Sequence, residues 1–266
     1  MDILMTIQKD YLNFSRQERK IADYILRFSH EIRNMKISEL AKNTGTSNAS
    51  ITRFVKKIGC ENYSDMKLYI TAQIEPEETL PSQGVADDVF LYYQNVIKNT
   101  QRLFDQEKMD EFIRIVKQAK KIVLIGISSS GVTAETFGIR LMRMGLPAVS
   151  YSDPLWMLMQ ASIAEPEDLY FAISSSGTTD SIIETLERAK KRGSKIVSIT
   201  SFSENPVSQL SDLSFHVYNT RFVDNEKFSN SQFSNVYLID VITTYLLKDP
   251  DFKAHTFSTR EVVGDD

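Results

Sequence analysis

Apolar residues in the first quarter of the chain recur every three or four positions: Ile21, Ile25 and Phe28, then Ile37 and Leu40, then Ile51, Phe54, Val55 and Ile58. That is the period of helices burying one face, and it predicts a small all-α bundle over residues 1–75. Segment 75–84 then brings two prolines, a glycine and three glutamates without any period, so residues 76–88 read as a linker. Helical patterns resume at 89–106 and 108–120. Beyond them, short apolar runs at 122–127, 169–173 and 196–199 alternate with longer amphipathic segments at 131–144, 179–191 and 229–247. Strand and helix in alternation predict a second domain over 89–250, an α/β three-layer fold with a mainly parallel sheet covered on both faces. Residues 251–266 read as a C-terminal tail, mobile from Phe257 to the closing Gly-Asp-Asp.

Inside the bundle, Ser38 is placed to cap a short helix at 39–43, Gly45 suits a tight turn, and Ser47 is placed to cap a second helix at 48–58. Two short helices across a glycine turn have the sequence form of a helix-turn-helix, whose second helix enters the DNA major groove. Its start carries Ser47, Asn48, Ser50 and Thr52, able to hydrogen-bond bases or phosphates, with Arg53, Lys56 and Lys57 beyond to meet the backbone. Charge agrees. Residues 1–75 hold 12 Lys/Arg against 9 Asp/Glu, whereas the whole chain is −4, which puts a basic head on an acidic body. The competing reading is a helical docking domain whose lysines only solvate a face.

The second domain holds an internal repeat. Gly-Ile-Ser-Ser-Ser-Gly at 126–131 recurs as Ala-Ile-Ser-Ser-Ser-Gly at 172–177, each copy closing an apolar strand and opening a helix. At such places free backbone NH groups and the helix dipole favour an anion, and serine hydroxyls add donors that rotate to suit phosphate oxygens. Two such loops in adjacent βα units suit one phosphate and the hydroxylated carbon chain attached to it, hence a phosphorylated sugar. Ordinary turn and cap chemistry is the alternative, since Thr178, Thr179 and Asp180 make a good helix start on their own.

The rest of the composition mainly excludes. A single cysteine, Cys60, permits no intrachain disulfide, and His30, His216 and His255 show no ligand spacing, so no metal or cofactor is expected. No apolar stretch approaches a membrane span and no secretory leader is seen, which points to a cytoplasmic protein without a membrane partner. Met142, Met144, Met157 and Met159 read as core or subunit-interface filling, and Trp156 as packing a helix start against the core or a partner subunit.

The runs 14–25 (FSRQERKIADYI), 37–41 (ISELA), 47–54 (SNASITRF), 57–59 (KIG) and 63–67 (YSDMK) resemble the N-terminal domain of RpiR-family bacterial transcriptional regulators. Residues 121–131, Gly145, Asp153, 168–179, 189–193 and 196–200 resemble the sugar isomerase (SIS) domain that forms the second half of those regulators. The resemblance implies a helix-turn-helix domain that binds double-stranded operator DNA and a SIS domain that senses a phosphorylated sugar or amino sugar, associating as a homodimer or homotetramer. It also implies phosphosugar-binding roles for Ser130, Ser174 and Ser176, completed by Gly177 and Thr179, with Ser128 and Ser129 as lesser candidates. Two positions depart from the family: Ser128 stands where a second glycine is usual, and Gln232 replaces an arginine near the start of the last helix. Both bear on which effector is bound.

SIS domains also occur in isomerases, so a phosphosugar isomerase with an accessory helical domain is the alternative. Aldose–ketose isomerisation needs a base at the carbon being deprotonated and a group to move the second proton; Glu226 and His255 are the only candidates. The helix-turn-helix weighs against catalysis, for which it has no use.

Overall fold

The computed structural model describes residues 3–73, 84–201, 205–218 and 232–263. The chain forms two compact units, the first ending at Tyr92 and the second opening at Tyr93.

The first unit is helical: α1 (Ile3–Lys9), α2 (Arg16–Arg27), α3 (Ser29–Ile32), α4 (Ile37–Thr44), α5 (Asn48–Lys57) and α6 (Tyr63–Gln73). A reciprocal capping box starts α2, in which Ser15 accepts from the Glu18 amide while the Glu18 carboxylate accepts from the Ser15 amide. Ile21, Ile25, Leu40, Ile51, Phe54 and Val55 are completely buried, so the helical period predicted the core. Helix α4 ends at Gly45, whose φ of 62° is left-handed, a conformation only glycine takes without cost. One cap differs from expectation: α4 starts at Ile37 after an uncapped Lys36, which leaves Ser38 inside its first turn. Cys60 is buried and unpaired; burial, with Asp65 adding, pushes its thiol up to about 11.

Helix α7 (Val85–Arg102) begins within the segment read as linker, of which 74–83 lie outside the described residues. Asp87 and Asp88 in its first turn suit the positive end of the helix dipole, which favours a helix start there. There follow α8 (Gln106–Gln118), β1 (Lys121–Ile125), α9 (Ser129–Arg143), β2 (Ala148–Tyr151), α10 (Pro154–Ser162), β3 (Asp168–Ile173), α11 (Asp180–Lys191), β4 (Lys195–Thr200), α12 (Pro206–Leu210), β5 (Leu213–His216), α13 (Phe233–Leu246) and α14 (Pro250–Val263). The five strands form a parallel sheet in the order β2-β1-β3-β4-β5. Every residue of β3 is buried, as a strand covered on both faces requires. One layer sets Phe112, Phe137, Ile239 and Ile242 of α8, α9 and α13 against Leu124, Phe171 and Val197. The opposite layer sets Met157, Ile182, Leu186 and Val207 of α10, α11 and α12 against Val123, Tyr170 and Ile196.

The tail reading is corrected by α14. Phe252, Thr256 and Thr259 are half-buried along one side of that helix, Phe252 packs on the core, and Lys117 pairs with Asp249 just ahead of it. Its spacing of half-buried positions is helical, whereas the polar Gly-Asp-Asp end suggested only mobility. Trp156 is also not a core residue: it stays largely exposed, and the start of α10 is capped by Asp153, which accepts from the amides of Leu155 and Trp156. Met144 and Met157 are buried while Met142 and Met159 are exposed. Among the described residues no helix is long and apolar enough to cross a membrane.

Candidate functional site

Two places carry the expected chemistry, one in each unit. In the first, α5 buries Ile51, Phe54 and Val55 and turns Asn48, Ala49, Arg53 and Lys56 to solvent, with Ser50 and Thr52 half-buried beside them. Ser47 caps the helix as expected, accepting from the Ser50 amide at 3.1 Å. Thr52 Oγ1 donates back to the Asn48 carbonyl, and the Arg53 guanidinium lies 3.4 Å from Ser50 Oγ. Lys57 is engaged elsewhere: its Nζ bonds both oxygens of Glu18 at 3.0 and 3.1 Å and sits over the Phe14 ring. Partial burial pushes the Glu18 carboxyl up, yet the Ser15 amide and Lys57 outweigh that and hold it below its ordinary value. Lys57 therefore fastens α5 to α2. Ala49, which the sequence reading passed over, stands among the exposed polar residues, where a small apolar side chain suits a thymine methyl.

In the second unit the two serine loops close β1 and β3, neighbours in the sheet. The helices that follow them, α9 and α11, pack in opposite layers. Such a change of side opens a crevice at the carboxyl ends of the two strands, where open α/β sheets bind ligands. Both loops and both helix N-termini border it.

The first loop is tightly built. A Cβ on Gly126 would stand 2.5 Å from the Ser130 carbonyl oxygen, and one on Gly131 2.7 Å from the Ser152 side chain. Ser128 has φ 56° and ψ −129°, a conformation suited to glycine and costly for serine. Ser128 and Ser129 are exposed, whereas Ser130 is nearly buried. In the second loop Ser174 is only 4% exposed, and its hydroxyl has no hydrogen-bond partner among the described residues. Ser176 Oγ accepts from the Thr178 amide. Thr179 occupies the N-cap of α11 without a side-chain cap bond, so its hydroxyl is not doing the capping that the alternative reading gave it.

Residues distant in sequence hold this loop. Its backbone bonds to Ile199, Ser201 and Val207, and a side chain on Gly177, at φ 64°, would overlap Asn205. Asn205 Nδ2 donates to Thr200 Oγ1, which lies 3.1 Å from His216 Nδ1. Burial, and secondarily Lys108, pushes His216 down to about 4, so the ring is neutral near pH 7. At the first loop, the buried Gln232 accepts from Thr133 Oγ1 and Asn235 Nδ2 and donates to Ser129 Oγ, beside a cavity of about 300 Å³ that Ser129, Thr133, Arg140 and Val236 help to line.

Of the two catalytic candidates, only His255 is described, and it is not brought to the loops. His255 is exposed on α14 beside Gly145, at the C-terminal end of α9, about 20 Å from that helix's start at 1.5 Å per residue. Glu226 lies outside the described residues. No group of His, Cys, Asp or Glu able to hold a metal occurs among the described residues.

Comparison with known proteins agrees with this division. Residues 1–77 match the helix-turn-helix domain of the rpiR family, and residues 115–236 match the SIS domain. An uncharacterised HTH-type transcriptional regulator of Haemophilus influenzae is 30% identical over 224 residues, covering 79% of this chain and 78% of its own. The Vibrio vulnificus NanR protein, solved in complex with ManNAc-6P, is similar at 29% identity with a TM-score of 0.62, over 98% of this chain and 97% of its own. A phosphoheptose isomerase from Francisella tularensis superposes with a TM-score of 0.51 at 16% identity, over 63% of this chain and all of its own, which is likeness of fold alone.

Proposed function

Since the chain belongs to the RpiR family of helix-turn-helix transcriptional regulators carrying a SIS domain, we propose that a phosphorylated sugar or amino sugar, held between the two serine loops, modulates its affinity for operator DNA. The observation that carries this reading is the unpartnered, buried Ser174 hydroxyl at a crevice that two helix N-termini face. A buried hydroxyl without a partner costs about 1–3 kcal/mol, which a phosphate or sugar oxygen would recover. The phosphate is assigned to Ser174, Ser176, Gly177 and Thr179, and the sugar hydroxyls to Ser130, with Ser128 and Ser129 at the rim. The likeness to NanR with its bound ManNAc-6P favours an amino-sugar phosphate among the candidates.

In the head, Asn48, Ser50, Thr52 and Arg53 are assigned to bases, Lys56 to phosphates, and Ser47 to the start of the helix. A pseudo-palindromic operator calls for two heads, so the working form is a homodimer or homotetramer. It acts where the DNA is, in the cytoplasm, and without catalysis, a reading supported by the helix-turn-helix domain, for which an isomerase has no use. Effector and operator are linked by a coupling free energy: the effector changes DNA affinity only as far as it prefers one arrangement of heads. The path is assigned to α7, which begins within the linker segment, and to α8; α8 reaches the sheet through Lys108, which donates to the Ser214 carbonyl.

Calorimetric titration of the protein with hexose, pentose and amino-sugar phosphates tests the pocket. One compound should bind with micromolar affinity, and the double variant Ser174→Ala/Ser176→Ala should abolish that heat. Equal binding by the double variant would contradict the assignment.

A further inference from the structure

The loop assigned to the phosphate, residues 174–179, is braced by the end of β4 and the start of α12. Ser174 N donates to the Ile199 carbonyl at 3.0 Å, Ser201 N to the Ser175 carbonyl at 3.1 Å, and Val207 N to the Gly177 carbonyl at 3.1 Å. The side chain pressed against its turn is that of Asn205. A Cβ on Gly177 would run into the Asn205 amide group, so the turn can lie there only because Gly177 has no side chain. Asn205 is 2% exposed, and its amide is held at both ends. Its Oδ1 caps α12 by accepting from the Ser208 amide at 2.8 Å, while its Nδ2 donates to Thr200 Oγ1 at 3.1 Å. Thr200 is completely buried, and its hydroxyl also lies 3.1 Å from His216 Nδ1 on β5. An amide bonded through both atoms cannot turn without losing a bond. A helix cap uses only the accepting oxygen; the second bond, to Thr200, is not required by the cap.

From this we infer that Asn205 is the positioning residue of the phosphate site. Buried behind the loop, it is not itself a ligand contact. It seats the turn at Gly177 so that the serine hydroxyls and the N-terminus of α11 converge on one anion, and Thr200 locks it in that place. The inference rests on the proposed function for what the loop binds. Serine- and glycine-rich backbone is loose by itself, whereas a binding constellation works only when held within about 0.5 Å of its productive geometry. A loop seated in advance binds phosphate without first having to be ordered. Breaking the bond between Asn205 and Thr200 should therefore weaken phosphate binding even in a fully folded protein, which the loss of a mere helix cap would not do.

The test is calorimetric titration of the full chain with inorganic phosphate and with N-acetylmannosamine 6-phosphate, at a temperature where circular dichroism shows each variant folded. Asn205→Ser keeps a capping oxygen but lacks the nitrogen that bonds Thr200; Thr200→Val keeps the shape but accepts no bond. Each should weaken binding of both ligands about 10-fold, the worth of one buried hydrogen bond. The factor should be the same for the two ligands, since the loss falls on the phosphate they share. The double variant should bind no worse than either single one, because all three break the same link. Unchanged affinity in both single variants would overturn the inference. So would a loss confined to the sugar phosphate, or losses that multiply in the double variant. If Asn205→Ser fails to fold, Thr200→Val decides. A wild type that binds neither ligand would defeat the pocket reading itself, and the inference with it.

Discussion

Ser128 and Ser174 each cost the fold stability, one through its backbone and the other through its hydroxyl. Ser128 is the only non-glycine with positive φ among the described residues, and glycine there would relieve strain worth about 1–3 kcal/mol. Ser128→Gly should therefore raise the melting temperature by several degrees; a lower one would show that the hydroxyl contributes more than the backbone costs. Ser174→Ala removes a buried hydroxyl without a partner, so stability should hold or rise slightly while effector binding is lost. His216 gives a pH dependence. Its proton affinity is depressed in the fold, to about 4 from 6.5, so the unfolded chain binds the extra proton first. The stability it contributes is fully present above pH 6.5 and is lost as pH falls towards 4, by up to ~3 kcal/mol. Denaturant melts at pH 7 and 5 should show that slope in the wild type and less of it in His216→Gln. Lys57 shows what spacing conceals: its charge looked free for DNA, but its partner Glu18 lies 39 positions away.

The strands the sequence revealed are those buried on both faces, since a doubly covered strand is written as an unbroken apolar run. Its two edge strands escaped. Ala148-Val-Ser-Tyr151 and Leu213-Ser-Phe-His216 are four residues long with polar positions interleaved, and four residues define no period. Helix α14 escaped because only a narrow side of it is half-buried. Deleting residues 250–266 would uncover the C-terminal end of α9, where Thr259 meets the Arg143 carbonyl and His255 covers Gly145. Each kcal/mol lost lowers the melting temperature of a chain this size by roughly 2–4 °C; an unchanged melting temperature would show that the helix contributes nothing. The serine loops were visible because both copies repeat in sequence. Their supports, Asn205 and Gln232, were not, because each acts across distant chain.

The division of charge between head and body bears on the whole protein's encounter with DNA. Phosphate contacts release counterions, so affinity for operator DNA should fall steeply between 50 and 200 mM salt. Arg53→Ala should weaken binding by about 1–3 kcal/mol. Because Lys57 is held by Glu18, Lys57→Met should affect head stability more than the salt slope, a difference that titrations at several salt concentrations would reveal. The measurement that bears most directly on the central claim is fluorescence anisotropy of the protein with DNA from upstream of its own gene, at fixed salt, titrated with sugar and amino-sugar phosphates. One compound should shift DNA affinity by about 5–150-fold, and the shift should vanish in Ser174→Ala/Ser176→Ala with basal binding intact. Tight DNA binding that no sugar phosphate alters, or an equal shift in the double variant, would contradict it.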